Sequence, residues 1–235
     1  MGTINRHRLV HAIRGDLIRQ QRYQIITIAA AITLIYIGIF YFIPGASQDK
    51  VVQFLIFNDP VALGMLFTGA VYLFEKSENT LEAFAVTPLR AAEYLGAKVI
   101  TFSLLGLAAS LAMALAAWGL QFNALPLGIG ITLTASLFTM LGVVIVVGTR
   151  SFNEYVIKIG LWMVPVALPL LDFFGIFKSY WFYLIPVQPT LLLLQASRES
   201  IAPWQMTYAI VYLMVWNILA FRWALHRLHE KEGFY

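Results

Sequence analysis

The chain has no cysteine among its 235 residues, which removes disulfides, thiolate metal sites and cysteine nucleophiles together and leaves the redox compartment unreadable. Charge is nearly as scarce. Asp, Glu, Lys and Arg make up 12% of the sequence and hydrophobic residues 60%, with mean hydropathy +0.76, whereas a soluble domain is closer to a quarter charged and half apolar. Signatures of chemistry are missing too. No GxxxxGK[ST] loop occurs, so the chain does not cradle a nucleotide phosphate in that way. His229-Glu230-Lys231-Glu232 opens like a zinc-protease motif, but Gly233 stands where the second histidine belongs and the stretch is a solvated tail. Gly128-Ile129-Gly130 lacks the third glycine of a dinucleotide loop and falls inside an apolar run, and there is no GxSxG elbow. All four histidines, His7, His11, His226 and His229, lie in the two terminal segments. Intrinsic catalysis, a bound cofactor and a metal site are therefore not expected.

What is present is a succession of apolar blocks near the roughly 20 residues that cross about 30 Å of hydrocarbon as a helix. The fold class that follows is all-α integral membrane protein, one membrane domain over residues 1–235 with six transmembrane helices. Residues 1–22 place Arg6, Arg8, Arg14, Arg19 and Arg22 among Leu9, Val10, Ile13, Leu17 and Ile18, spacings of three to four that predict an amphipathic helix in the interface. The long apolar run after it, without a small-residue cleavage site, argues against a cleaved signal peptide.

The spans are expected at Gln24 to Phe42, from near Asp59 to Phe74, Val99 to Leu120, Ala124 to Val147, Tyr155 to about Phe174 and Met206 to Leu225. Asn58-Asp59-Pro60 interrupts the second apolar block, hence its expected start there. In the third, Gly106, Ser110 and Ala114 repeat every four residues and allow another helix to approach closely. Pro165 and Pro169 should bend the fifth. Residues 176–203, apolar but broken by Lys178, Pro186, Pro189 and Arg198-Glu199, predict a re-entrant hairpin at the outer interface.

Orientation follows from counting cations. A cytoplasmic N-terminus puts Arg6, Arg8, Arg14, Arg19, Arg22, Lys76, Arg90, Lys98, Arg150, Lys158, Arg222, Arg227 and Lys231 inside and only Lys50, Lys178 and Arg198 outside. Both termini are thereby expected in the cytoplasm, and the pI of about 9.3 reflects topology rather than nucleic acid. Trp118, Trp181 and Trp204 fall near outer boundaries, as an aromatic belt would place them. Asp59 and Asp172 stand at expected outer ends of spans; they either reach headgroup water or serve a proton or cation relay.

The stretch from Glu75 to Lys98 is the long segment of mixed charge between spans. Asn79 can cap a helix with Glu82 at the reciprocal position, leaving Leu81, Phe84 and Ala85 on one face and Glu78 and Glu82 on the other. Thr87-Pro88 ends that helix and starts the next. A short amphipathic helix lying beneath spans two and three results, with or without a partner.

This segment resembles the loop of the membrane permeases of type-2 ABC exporters, in the order Thr80-Leu81-Glu82, Phe84, Val86-Thr87-Pro88-Leu89, Glu93-Tyr94 and Lys98. The motif covers about a tenth of the chain. The layout also resembles theirs: a basic amphipathic N-terminal helix, six spans and an aromatic half-inserted hairpin before the last. The resemblance implies a coupling helix that docks on a separate ATPase, with Glu78, Thr80, Leu81, Glu82, Phe84, Thr87, Pro88 and Arg90 at the contact. It also implies two ATPase subunits holding ATP and Mg, a second identical or related permease, a multi-pass place in the cell (inner) membrane, and export of a hydrophobic or amphipathic cargo such as a drug, a lipid or a lipid-linked molecule. A secondary transporter and a membrane scaffold are the alternatives. No nucleic-acid partner is expected.

Overall fold

The computed structural model describes residues 5–40, 42, 48–81, 87 and 89–232. Its helices are α1 (Arg6–Arg22), α2 (Ile25–Phe40), α3 (Gln48–Ala62), a π-helical turn (Leu63–Phe67), α4 (Thr68–Ser77), α5 (Ala91–Trp118), α6 (Ala124–Val146), α7 (Phe152–Val166), α8 (Leu170–Phe173), a 3-10 turn (Tyr180–Leu184), α9 (Val187–Ala196) and α10 (Pro203–Glu232). No strand occurs among the described residues. Four helical stretches are long and apolar enough to cross a bilayer: Asp49–Ser77, Ala91–Trp118, Ala124–Val146 and Pro203–Lys231. α1 and α2 meet at a 65° bend and make a fifth if counted as one broken span. The bend falls at Gln24, whose φ of 60° interrupts the helical backbone. α2 and α7, with 16 and 15 residues, are shorter than the roughly 20 that a perpendicular crossing needs.

The second span does not begin at Asp59. Its helix starts at Gln48 and runs past Asn58-Asp59-Pro60, because a proline deletes one backbone bond without forbidding a helix whose flanks are buried. The register loosens just downstream into the π turn, a usual place for such an adjustment. Asp59 therefore does not reach headgroup water: it is 3% exposed, and its Oδ2 has no hydrogen-bond partner among the described residues.

α6 is the axis of the bundle. Within their most apolar windows it is 78% buried, while α10 is 22% buried. Small residues let its neighbours touch backbone to backbone. A Cβ on Gly142 would lie 2.7 Å from the Gly64 carbonyl oxygen, and one on Gly64 2.8 Å from Phe138 Cβ. Gly69 makes room for Tyr155, whose ring carbon Cζ would come 2.0 Å from an added Cβ. The Tyr155 hydroxyl donates to the Met65 carbonyl inside the π turn, so α7 is keyed into the widened turn. On α5, a Cβ on Gly106 would sit 3.4 Å from Pro60 Cβ and 3.6 Å from Ala135 Cβ, and Ser110 and Ala114 are fully buried.

At the end of the bundle away from α1, α9 lies along α6. Thr134 and Thr190 share a 2.8 Å hydrogen bond, and the Asn123 N–H donates to the Ser197 carbonyl at 2.8 Å. The same far end holds a polar clasp. Trp118 Nε1 donates to Asp49 Oδ1 at 2.8 Å, Arg198 pairs with Asp49 Oδ2 at 3.3 Å and lies 5.3 Å from the Trp118 ring centre.

Candidate functional site

The segment read as a coupling element joins α4 to α5, and its two shoulders carry most of the bundle's buried charge. The last turn of α4 carries Glu75 and the first turns of α5 carry Glu93, Tyr94, Lys98 and Thr101, all 2% exposed or less. Positions 94, 98 and 101 share one helical face, and α1 lies across it. Lys98 Nζ sits 3.1 Å from Asp16 Oδ1 and 2.9 Å from Glu75 Oε1, with all three side chains at 0% exposure. Arg19 closes the ring from α1, at 2.8 Å from Glu75 and 3.6 Å from Asp16. Two acids and two bases cancel.

Hydroxyl and amide groups take up the remaining lone pairs. Thr101 Oγ1 donates to Asp16 Oδ2 at 2.5 Å, Gln20 Nε2 donates to the same oxygen at 2.8 Å, and Tyr94 donates to Glu75 Oε2 at 2.6 Å. Burial pushes the Asp16 carboxyl up, but Lys98, the Thr101 hydrogen bond and Arg19 outweigh it, and the group is held below its ordinary value. A neutral set whose carboxylate oxygens all have donors tolerates a low dielectric, although Gln20 Oε1 has no partner among the described residues; a single deletion would leave a charge unbalanced.

A second tie sits at the start of α1, two turns or more before Asp16. Glu93 accepts from the Asn5 N–H at 3.0 Å and the Arg90 N–H at 3.1 Å and pairs with Arg8 at 3.2 Å. It thus caps α5 and joins it to the first residues of α1. The other end of α1 holds α4: the Tyr23 hydroxyl donates to Glu78 at 2.8 Å, Arg22 lies 3.5 Å from Glu78, and the Tyr23 ring packs 5.1 Å from that of Phe74. Burial, then the bond to Glu78, pushes the Tyr23 hydroxyl up to about 12. α1 is a brace across both shoulders of the loop.

Of the residues expected at a partner contact, Glu78 holds Tyr23, Thr80 is half-buried, and Thr87 is exposed with its hydroxyl accepting the Leu89 N–H at 3.4 Å. Arg90 caps α5 through Glu93. Glu82, Phe84 and Pro88 lie outside the described residues. Two expectations change. Leu81 is 3% exposed and belongs to the main apolar core, so it is no outward knob. Asn79 adopts φ 56° and donates its N–H to the Lys76 carbonyl, the posture of a residue that terminates a helix rather than the extended one of an N-cap. Glu75, Glu93 and Lys98, read as ends of a charged loop, are helical and buried because α1 covers them.

Asp16 and Gln20 were the residues that sequence patterning passed over. An acid alone among five arginines and five apolar residues, with a glutamine four positions on, was the available signal, as was the Tyr94, Lys98, Thr101 polar stripe opening an apolar span. A recess of about 260 Å³ lies between α1 and the returning loop, with Arg8, His11, Gly15, Thr87 and Leu89 among its walls. No cluster of metal-ligating side chains occurs among the described residues.

Comparison with known proteins adds a family. The profile of the fluoroquinolones export permease protein family matches residues 7–231. The chain is also similar to the fluoroquinolones export permease proteins of Mycobacterium tuberculosis strains CDC 1551 / Oshkosh and ATCC 25618 / H37Rv, with 32% identity over 214 residues, 88% of this chain and 89% of theirs.

Proposed function

Because the chain belongs to the fluoroquinolones export permease protein family, we propose that it is the membrane half of an ATP-driven exporter. Two such permeases, identical or related, pair around a central path. Two ATPase subunits, which hold ATP and Mg²⁺, grip the 79–90 loops from the cytoplasm. The observation that carries this reading is the brace: a loop that merely connected two spans would not need both shoulders locked to α1 by a buried, neutral set of charges. A push on such a loop moves α1, α4 and α5 together. Only the higher affinity of ATP for the closed ATPase pair can drive that motion.

In this arrangement α2, the α3 to α4 rod, α5, α6, α7 and α10 make six crossings of the inner membrane. α1 lies in the cytoplasmic interface, both termini are cytoplasmic, and residues 176–203 form the re-entrant hairpin on the outer side. Phe84 is the apolar knob and Glu78, Thr80, Glu82, Thr87, Pro88 and Arg90 its rim. α7 buries only Tyr155 and presents Ile157, Leu161 and Val164, each at least 65% exposed, as the surface for the second permease. The cargo is a drug of the fluoroquinolone class, which the relatives' names carry.

Co-expression with the ATPase of the neighbouring reading frame and reconstitution in proteoliposomes tests the scheme. Phe84→Asp should abolish co-purification and fluoroquinolone-stimulated ATP hydrolysis; wild-type behaviour of that variant would overturn the docking role. A gradient-driven carrier is the second reading, favoured by the buried, half-partnerless Asp59. Asp59→Asn should spare ATP-driven export under the first reading and abolish transport under the second.

A further inference from the structure

At the far end of the bundle, α8 closes on Gly175, whose φ of 74° turns the chain back toward the 3-10 turn. Between α8 and that turn lies a cavity of about 300 Å³, lined by Asp172, Lys178, Ser179, Tyr180 and Tyr183. This is the lower end of the range for drug-sized ligands. Its walls combine one carboxylate, one ammonium and two phenol rings; tyrosine and lysine also serve as interface anchors, and the added carboxylate is the group that anchoring does not call for.

The polar end is built rather than incidental. Gln188, 5% exposed, donates from Nε2 to Asp172 Oδ2 at 3.2 Å, while its Oε1 has no partner among the described residues. That bond holds the Asp172 carboxylate in place at the cavity wall. The aromatic end is braced as well. The Tyr183 ring lies 6.4 Å from Trp204, nearly parallel at 23°, and 5.5 Å from Tyr208. Tyr180 is 95% exposed.

We propose that this recess is an exit-side binding site for a planar aromatic zwitterion. The cargo's ring system lies against Tyr180 and Tyr183, its ammonium meets Asp172 and its carboxylate meets Lys178. Fluoroquinolones, fused aromatic rings with a carboxylate at one end and a basic amine at the other, fall in this class. The site rests on the export reading above, with the far end as the side of release.

Three probes separate the charges: a zwitterionic fluoroquinolone, its carboxyl methyl ester, which keeps only the cation, and its N-acetyl derivative, which keeps only the anion. Export of each is measured in proteoliposomes holding the permease with its ATPase. Asp172→Asn, whose amide oxygen still accepts from Gln188, should slow export of the zwitterion and the ester about fivefold and spare the N-acetyl compound. Lys178→Gln should slow the zwitterion and the N-acetyl compound to the same extent and spare the ester; fivefold is the scale of a partly exposed ion pair. Tyr180→Ala should slow all three. Charge variants that slow the three probes alike, or none of them, would overturn the site while leaving the exporter standing. A parent permease that moves none of the three would remove the cargo assignment and the site with it.

Discussion

Two polar clusters sit at opposite ends of this bundle, and they are built on different terms. At the α1 end, Asp16, Glu75 and Lys98 are wholly enclosed, and each oxygen of the two carboxylates has a donor. At the far end, the Asp49 and Arg198 side chains are 49% and 23% exposed, and Arg198 Nε has no partner among the described residues. Water can replace the far contacts at little cost, whereas the enclosed ring has no solvent to fall back on. The first cluster is a joint with no solvent to relieve its loss, and the second a clasp that water can relieve.

The sharpest way to break the contrast is Lys98→Met. It leaves Asp16 and Glu75 buried with Arg19 alone between them, and should destabilise the protein by about 3–5 kcal/mol, read as a lowered Tm in detergent and protease cutting at α1. Acid attacks the same joint by another route. The Asp16 carboxyl is held below 3.8 when folded, so its contribution is complete above that value and is lost as pH falls through it toward the lower folded pKa. Protection of the α1 amides, taken relative to the intrinsic exchange rate at each pH, should be flat from pH 8 to about 5 and fall only below about 4, and Asp16→Asn should flatten that fall. Tyr94→Phe removes one bond to a charged acceptor, and a loss of about 1.5–3 kcal/mol in chemical denaturation is expected. Arg198→Gln, at the exposed clasp, should cost less than about 1 kcal/mol by the same measurement. Equal losses at Lys98 and Arg198 would erase the distinction between joint and clasp.

Sequence patterning recovers the helices well because each apolar block is long and its boundaries are chemically loud. It places α6 closely, finds the apolar middles of α5 and α10 while missing the first eight residues of α5, and identifies the small-residue face of α5. It misplaces the start of the second span, since Asn58-Asp59-Pro60 has the local grammar of a helix start while burial against α5 and α6 keeps the chain helical through it. The candidate site was half legible. The loop motif stood out, but Glu75, Glu93 and Lys98 looked like solvated charges flanking it. Their burial depends on a helix some sixty to eighty positions away in the chain, and no local window contains that information.

What the sequence alone determines here is the solvent. With 60% hydrophobic residues in span-length blocks, backbone polar groups must be satisfied within helices, and the helical membrane class follows directly. What only the tertiary structure decides is which charges leave water. A carboxylate's state is set by what surrounds it, and Asp16 meets Lys98 and Arg19 meets Glu75 only because α1 folds back over the shoulders of a loop that it never adjoins in sequence.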